Sequence, residues 1–407
     1  MKKQWIAIIS LVLMLSMSLS FAFVAKADEG TNIDGYNTTD NGTKDMPSFT
    51  FVKTFELLGD TTNGVFPNED FIIHFTPYEV SGLPTHSSIK EPADMPKISD
   101  AKITSDNIKG EPLQNVNGKY FKQMSVVVTL PTYTEIGDYW YKVSESVRDE
   151  NGDTHDVAGV THDPNNYYLH VQVVKVKDAD NNETLSRLVT LHKPDPDNQD
   201  TYINAKTNGV TNIYGNGQII IKKVVNGNIA DENRPFNVDV VMTSDSPVSS
   251  DITYKFINKA NAQVGDPVEI EHTEWKLENG AYTLSKTIEI TANTRVEFYN
   301  VPYGVEYTVM EEDYSSSFKV PTYNINTENM NEQGDTIVGS HSAVWKEKYV
   351  KGTISDWEDT ITIINTTDAT IDVGVIIDNM PYIAIMIFAV GAVVVFVAVR
   401  HRKKKDD

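Results

Sequence analysis

The chain has 407 residues, room for two or three domains with a sizeable core. It contains no cysteine, which excludes disulfide staples, zinc-finger sites and cysteine nucleophiles, so any covalent reinforcement must come from other chemistry. Formal net charge is −22, and without the eight basic residues and two aspartates at the chain ends, 27 basic residues face 55 acidic ones, a balance of −28. A surface this acidic repels nucleic acid, whose binding rests on phosphate neutralisation, and suits a soluble extracellular object.

Residues 1–27 read as a secretory signal: Lys2 and Lys3 are the basic start, Trp5 to Ala25 is almost wholly apolar, and Ala25-Lys26-Ala27 supplies a small-x-small cleavage site. The apolar run is also long enough to remain as an anchor. Residues 28–48 are polar and without periodicity, a flexible leader. Asn37-Thr38-Thr39 and Asn41-Gly42-Thr43 match glycosylation acceptors, a tripeptide common by chance in such sequence.

Phe49 to Glu56 alternates as a strand, with Phe49, Phe51, Lys53 and Phe55 on one face. An amine among aromatics is unusual, since Lys is almost never fully buried unpaired; the plain alternative is a snorkelling Lys on an edge strand. A Gly/Asp/Thr/Asn turn leads to a second strand, Phe71 to Phe75. Further strands are predicted over Gln123–Leu130, Tyr139–Glu145, Tyr167–Lys175 and Leu185–His192, with 193–198 as a loop and Val210–Tyr214 as a short closing strand. In the central strand Tyr139, Tyr141, Val143 and Glu145 share a face, so Glu145 is either a strand-end acid in water or a buried acid with a role.

The pattern then recurs in the same order. Ile219 to Gly227 mirrors the opening strand with Lys222 and Lys223, Pro235 to Val240 the second, Tyr303 to Glu311 the central strand with its terminal acid, and Thr360 to Asn365 the closing strand. Lys53 to Glu145 spans 92 residues and Lys223 to Glu311 spans 88; Glu145 to Asn212 spans 67 and Glu311 to Asn365 spans 54. No long stretch of the ectodomain has helical periodicity, so the expected fold is all-β, two tandem sandwiches over 49–215 and 216–368. A linker, 369–380, precedes an apolar run of 19 residues, 381–399, long enough to span a bilayer, and a basic tail, 400–407, marks the cytoplasmic end.

A Lys, an acid and an Asn that meet in an apolar core make a reactive trio. Burial disfavours charge, so the amine tends to lose its proton and the acid to keep its own. A neutral amine is a nucleophile, and a neutral acid can polarise the Asn amide and shuttle protons while ammonia leaves. Folding supplies the proximity. The reaction runs once per domain; this is self-modification and not enzymatic turnover.

The motifs that carry this trio resemble a known family. Phe49-x-Phe51-x-Lys53-Thr54-Phe55 with Pro67-x-Glu69-x-Phe71, Gly137-x-Tyr139-x-Tyr141-x-Val143-x-Glu145, and His162-Asp163-Pro164-x-x-Tyr167-x-Leu169-x-Val171-x-Val173 resemble the pilin isopeptide-linkage domain of Gram-positive backbone pilins. The opening of the second domain, Ile221 to Asn228, and its Pro302-Tyr303-Gly304-x-x-Tyr307-x-Val309-x-Glu311 are similar to the same family and to Cna-B-type, Ig-like domains. The resemblance implies an isopeptide bond between Lys53 and Asn212 promoted by Glu145, and one between Lys223 and Asn365 promoted by Glu311. Asn204 and Asn208 lie near Asn212, Lys222 adjoins Lys223, and Asn365 also reads as a strand-end Asn or a glycosylation acceptor. It implies no cofactor and no metal.

Asn379-Met380-Pro381-Tyr382 before the apolar run is similar to a cell-wall sorting signal. A sortase segment with Pro, Thr and Gly would sit just upstream. Here Ile371-Asp372-Val373-Gly374-Val375 keeps the Gly but has Asp and Val where Pro and Thr would fall, so retention by 381–399 is expected over sortase attachment. Lys193 is a weak candidate for linkage to like subunits or other pilins. Asp149, Asn151 and Asp153 begin a calcium-loop spacing that Thr154 and Val160 break, and His155 and His162 lack a third ligand.

The leading expectation is a surface-displayed structural subunit or stalk, N-out and C-in at the membrane, possessing two self-cross-linked sandwiches. The alternative is an anchored adhesin for a host or matrix protein, with Trp345 and Tyr349 in the insertion 327–356 as its site. A secreted hydrolase has only scattered carboxylates and histidines in its favour.

Overall fold

The computed structural model describes residues 45–59, 65–79, 89–148, 155–177, 181–195, 197–227, 231–326 and 336–367, with backbone only at 148, 198–205 and 326. The signal and leader expectations to residue 44, the calcium-like spacing at 149–154, the sorting segment and the apolar run 381–399 lie outside them. Among the described residues no helix is long and apolar enough to cross a membrane.

Strands β1 (Ser48–Gly59), β2 (Asp70–Pro77), β3 (Ala101–Ile103), β4 (Gln114–Val116), β5 (Lys119–Thr129), β6 (Gly137–Arg148), β7 (Val160–Thr161), β8 (Tyr167–Lys177), β9 (Glu183–Asp195) and β10 (Asn198–Lys206) lead into the 18-residue β11 (Gly209–Asn226). After it come β12 (Phe236–Ser244), β13 (Ile252–Asn258), β14 (Gln263–Ile270), β15 (Lys276–Glu278), β16 (Ala281–Ile290), β17 (Thr294–Pro302) and β18 (Glu306–Glu311). The last are β19 (Thr322–Asn326), β20 (Thr336–Val338), β21 (Tyr349–Thr353) and β22 (Glu358–Thr366).

Three sheets enclose two cores. One sheet runs β14-β13-β17-β11-β1-β5-β4, with β22 also on β11 and β19 on β22. The second runs β10-β9-β8-β6-β2-β3 and the third β15-β16-β12-β18-β21-β20. Alternation puts one face of each strand inward: β1 buries Phe49, Phe51, Lys53, Phe55 and Leu57 in turn. Those aromatics pack against Phe71, Ile73, Tyr139, Tyr141, Val143, Leu169 and Val171 of the second sheet to form the N-terminal core. Ile219, Ile221, Val296, Phe298, Ile361 and Ile363 pack against Val238, Val240, Leu284, Ile288, Tyr307 and Val309 of the third sheet to form the C-terminal core.

The strand β11 belongs to both units. Its first half runs parallel to β1, and its second half runs parallel to β22 and antiparallel to β17. The short closing strand and the reopening strand expected from sequence are therefore one element, and the boundary expected between 215 and 216 falls inside it. Val210, Asn212 and Tyr214 are buried toward the first core, whereas Ile219, Ile221 and Lys223 are buried in the second. Even and odd positions cannot share a face of a regular strand. β11 therefore turns the two sets to opposite faces, its pairings with β1 and β22 running without a slip, and the register shift against β17 between Gly217 and Ile219 places the extra residue in β17, between Phe298 and Val301. Glycine is needed in β11 for close approach: a Cβ on Gly215 would lie 2.3 Å from the Tyr303 ring, and one on Gly217 2.3 Å from the Asp356 carbonyl oxygen.

Two smaller expectations are corrected. Lys193 to Asp195 continue β9 instead of looping, because the β9–β10 hairpin turns only after Asp195. Tyr303 and Gly304 form the turn between β17 and β18, with Gly304 at φ +88°, where a side chain is disfavoured.

Candidate functional site

The two units place a Lys, an acid and an Asn by the same register. On the parallel β1–β11 pair Lys53 lies opposite Val210, and Asn212, two residues on, shares its inward face. On the parallel β11–β22 pair Lys223 lies opposite Ile363, and Asn365 is again two residues on. The acids come from the facing sheets. Glu145 of β6 pairs with Ile73, two residues after Phe71, and Glu311 of β18 pairs with Val238, two residues after Phe236. Strand periodicity alone therefore aims all six side chains inward.

In the N-terminal unit the trio touches. The Lys53 amine is 2.8 Å and 2.9 Å from the two Glu145 oxygens and donates to Asn212 Oδ1 at 2.7 Å. Lys53 is 0% exposed and Asn212 1%. Asn208, the neighbouring alternative, is exposed on the strand approach. In the C-terminal unit Lys223 Nζ is 3.0 Å from Glu311 Oε1 and 4.4 Å from the Phe236 ring centroid. Glu311 and Asn365 are buried beside it, and Lys222 points to the opposite, half-buried face. The side-chain polar atoms of Lys223, Glu311 and Asn365 make no aligned hydrogen bonds among the described residues.

Burial disfavours the charged amine, so the Lys53 pKa falls below its ordinary value against the opposing pull of Glu145. Burial also pushes the Glu145 carboxyl up, but the Lys53 ammonium and His162 outweigh it and hold it below the usual range. In the C-terminal unit burial brings Lys223 down to about 8, and burial raises Glu311 despite Lys223. In each pair one short proton transfer from amine to carboxylate yields neutral partners without changing net charge.

Sequence reading missed two neighbours of this site. His162, set aside above as a metal ligand short of partners, lies 3.5 Å from Glu145 Oε2, while His155 faces Glu69 at 3.6 Å. Asp163 donates its main-chain N–H to Asn212 Oδ1 at 3.2 Å. The available signal was Asp163-Pro164-Asn165 before a strand, an Asx-turn pattern: Asp163 Oδ1 accepts the Asn165 N–H at 3.1 Å.

The expected adhesive site is corrected. Trp345 is 3% exposed, packed with Phe236 and Phe318, and its indole N–H donates to the Glu311 carbonyl at 3.2 Å. Tyr349 lies on β21, half-buried. The tryptophan backs the second trio instead of facing a ligand.

A pilin of Streptococcus pyogenes serotype M1 is 25% identical over 378 residues, 92% of this chain and 94% of the relative. The chain resembles Gram-positive backbone pilins. Residues 217–367 match a family described as a domain of unknown function (DUF7601). Among solved structures, the major pilin of Streptococcus pyogenes aligns with 80% of this chain and 99% of its own, at 18% identity and a TM-score of 0.48. The T-13 major pilin of the same species aligns with 79% and 99%, at 14% identity and a TM-score of 0.41.

Proposed function

We propose that this chain is a pilin-like surface subunit or stalk of two Ig-like, Cna-B-type sandwiches, each locked by an internal Lys–Asn isopeptide bond. The observation that carries the reading is the buried contact of Lys53 with both Glu145 and Asn212 Oδ1. Glu145 takes a proton from Lys53, and the neutral amine attacks Asn212 Cγ. The tetrahedral intermediate passes a proton through Glu145 to Nδ2, the Cγ–Nδ2 bond breaks, ammonia leaves, and the carboxyl is restored. Lys223, Glu311 and Asn365 take the same roles in the second unit. The product replaces a buried ammonium, a group costly to hold in an apolar core, with a neutral amide.

The N-terminal bond would close a loop of 159 residues, worth on the order of 5 kcal/mol in the chain-entropy account. Each bond forms once, so the protein is not an enzyme in the sense of turnover. Display at the cell surface with retention by 381–399, and assembly with like subunits, complete the proposal; Asp372 and Val373 weigh against processing by a sortase.

The test is the intact mass of the ectodomain, residues 28–370, beside Glu145→Ala and Glu311→Ala. A deficit of two ammonia masses is expected, one restored by each variant. Full theoretical mass in the parent chain would sink the mechanism.

A further inference from the structure

Amine attack on Asn212 Cγ turns Oδ1 from a carbonyl oxygen into an oxyanion, and a buried oxyanion needs donors already in place. Among the described residues two donors reach Oδ1: the Lys53 amine, which is the nucleophile itself, at 2.7 Å, and the Asp163 main-chain N–H at 3.2 Å. Glu145 is committed to the amine, so the peptide N–H is the donor that stays fixed through the reaction.

That N–H is held by its own side chain. Asp163 Oδ2 accepts the Thr211 N–H at 3.0 Å and the Tyr167 hydroxyl at 2.7 Å, and Oδ1 accepts the Asn165 N–H at 3.1 Å and the Asn165 side-chain amide at 2.6 Å. Four donors engage the carboxylate and pin the turn at 163–165 to β11 one residue before Asn212. The Asp163 charge itself works against the reaction, because it favours the ammonium form of Lys53. What Asp163 supplies is therefore a placed donor. The C-terminal unit lacks the counterpart: among the described residues no donor makes an aligned hydrogen bond to Asn365 Oδ1.

We propose that the Asp163 main-chain N–H is a catalytic oxyanion donor for closure of the N-terminal bond, clamped by the Asp163 carboxylate, and that the C-terminal bond closes without one. The inference rests on the isopeptide reading above. It adds a catalytic group outside the Lys–Glu–Asn trio and a difference in rate between the two units.

The experiment starts from the full chain synthesised into and kept in urea, so that neither bond has yet formed, then folded by dilution into detergent and quenched at intervals for intact mass. Peptide mapping assigns each lost ammonia to its unit. Incorporating the α-hydroxy analogue of aspartate at 163 by nonsense suppression turns the N–H into an ester oxygen and leaves the carboxylate. The same change at Asn165 removes a hydrogen bond of the same turn that does not reach Asn212. Loss of the donor at 163 is expected to slow N-terminal closure about 100-fold, the usual effect of deleting one oxyanion donor. The 165 ester should close near the parent rate, and C-terminal closure should be unchanged in both. Equal slowing by both esters, or by neither, would overturn the proposal. In the unmodified chain the N-terminal bond should close first, a comparison that holds even if the 163 ester does not fold; C-terminal closure at the same rate or faster would overturn it. A parent chain that never loses ammonia from the N-terminal unit would instead refute the isopeptide reading.

Discussion

At the scale of single residues, the positions proposed to carry chemistry are legible because strand periodicity is strict. Lys53 among phenylalanines and Glu145 among tyrosines can only face inward once their strands exist, and the same rule selects Lys223 over Lys222. Asp163 is not legible in that way, because its contribution to Asn212 is a peptide N–H whose aim depends on a turn. Trp345 misleads for the opposite reason: a tryptophan in an insertion reads as surface, but here it seals Glu311 from water. The Lys223–Glu311 pair makes a pH prediction. The reacting state, neutral amine with protonated acid, carries one proton, as does the ion pair from which it forms. With the Glu311 carboxyl raised and the Lys223 amine titrating at about 8, closure should fall on the acid side of Glu311, where a second proton leaves the amine an ammonium, and be flat from there up to about 8. Above that value the pair loses its last proton, no acid remains, and the rate should fall about tenfold per pH unit. Quenched mass measurements of C-terminal closure across this range check the sign. A rate still climbing well above the amine's pKa would mean that the carboxyl donates no proton.

At the scale of elements, β11 is where sequence reading stops short. Gly215-Asn216-Gly217 looks like a boundary, because glycines punctuate strands and the two apolar runs on either side seem complete in themselves. The structure uses the glycines for clearance beside Tyr303 and Asp356, so the strand continues through the junction and its regular alternation serves one core and then the other. The alternation of β1, β6, β8 and β22 and the order of the repeat are readable because each strand has one core face. The junction is not, because its residues serve two cores. Gly215→Val should force a Cβ into the Tyr303 ring and cost about 1–3 kcal/mol, the usual range for overpacking. Urea denaturation in the Glu145→Ala/Glu311→Ala background, where no cross-link masks the loss, measures it. An unchanged midpoint would show that β11 relaxes freely at the junction and that the close approach is incidental.

For the whole molecule, the shared strand decides where tension goes. Asn212 and Lys223 sit on the same β11, so with both bonds formed a covalent path runs from Lys53 across to Asn212, along β11 to Lys223, and across to Asn365. The residues between Lys53 and Asn212, and those between Lys223 and Asn365, lie off that path and carry none of the load. Without the bonds, pulling shears β1 from β11 and β11 from β22, pairs held only by parallel ladders and side-chain packing. Pulled end to end, the parent chain should therefore show no release of these segments before covalent rupture. Glu145→Ala should release the 159-residue span from Lys53 to Asn212, roughly 50 nm at the reach of an extended chain. Glu311→Ala should release the shorter C-terminal span in a separate event. Force spectroscopy on single molecules gives both lengths. Release of the N-terminal length from the parent chain would show that the trio at Lys53 packs without reacting, and would leave the sheet ladders as the source of strength.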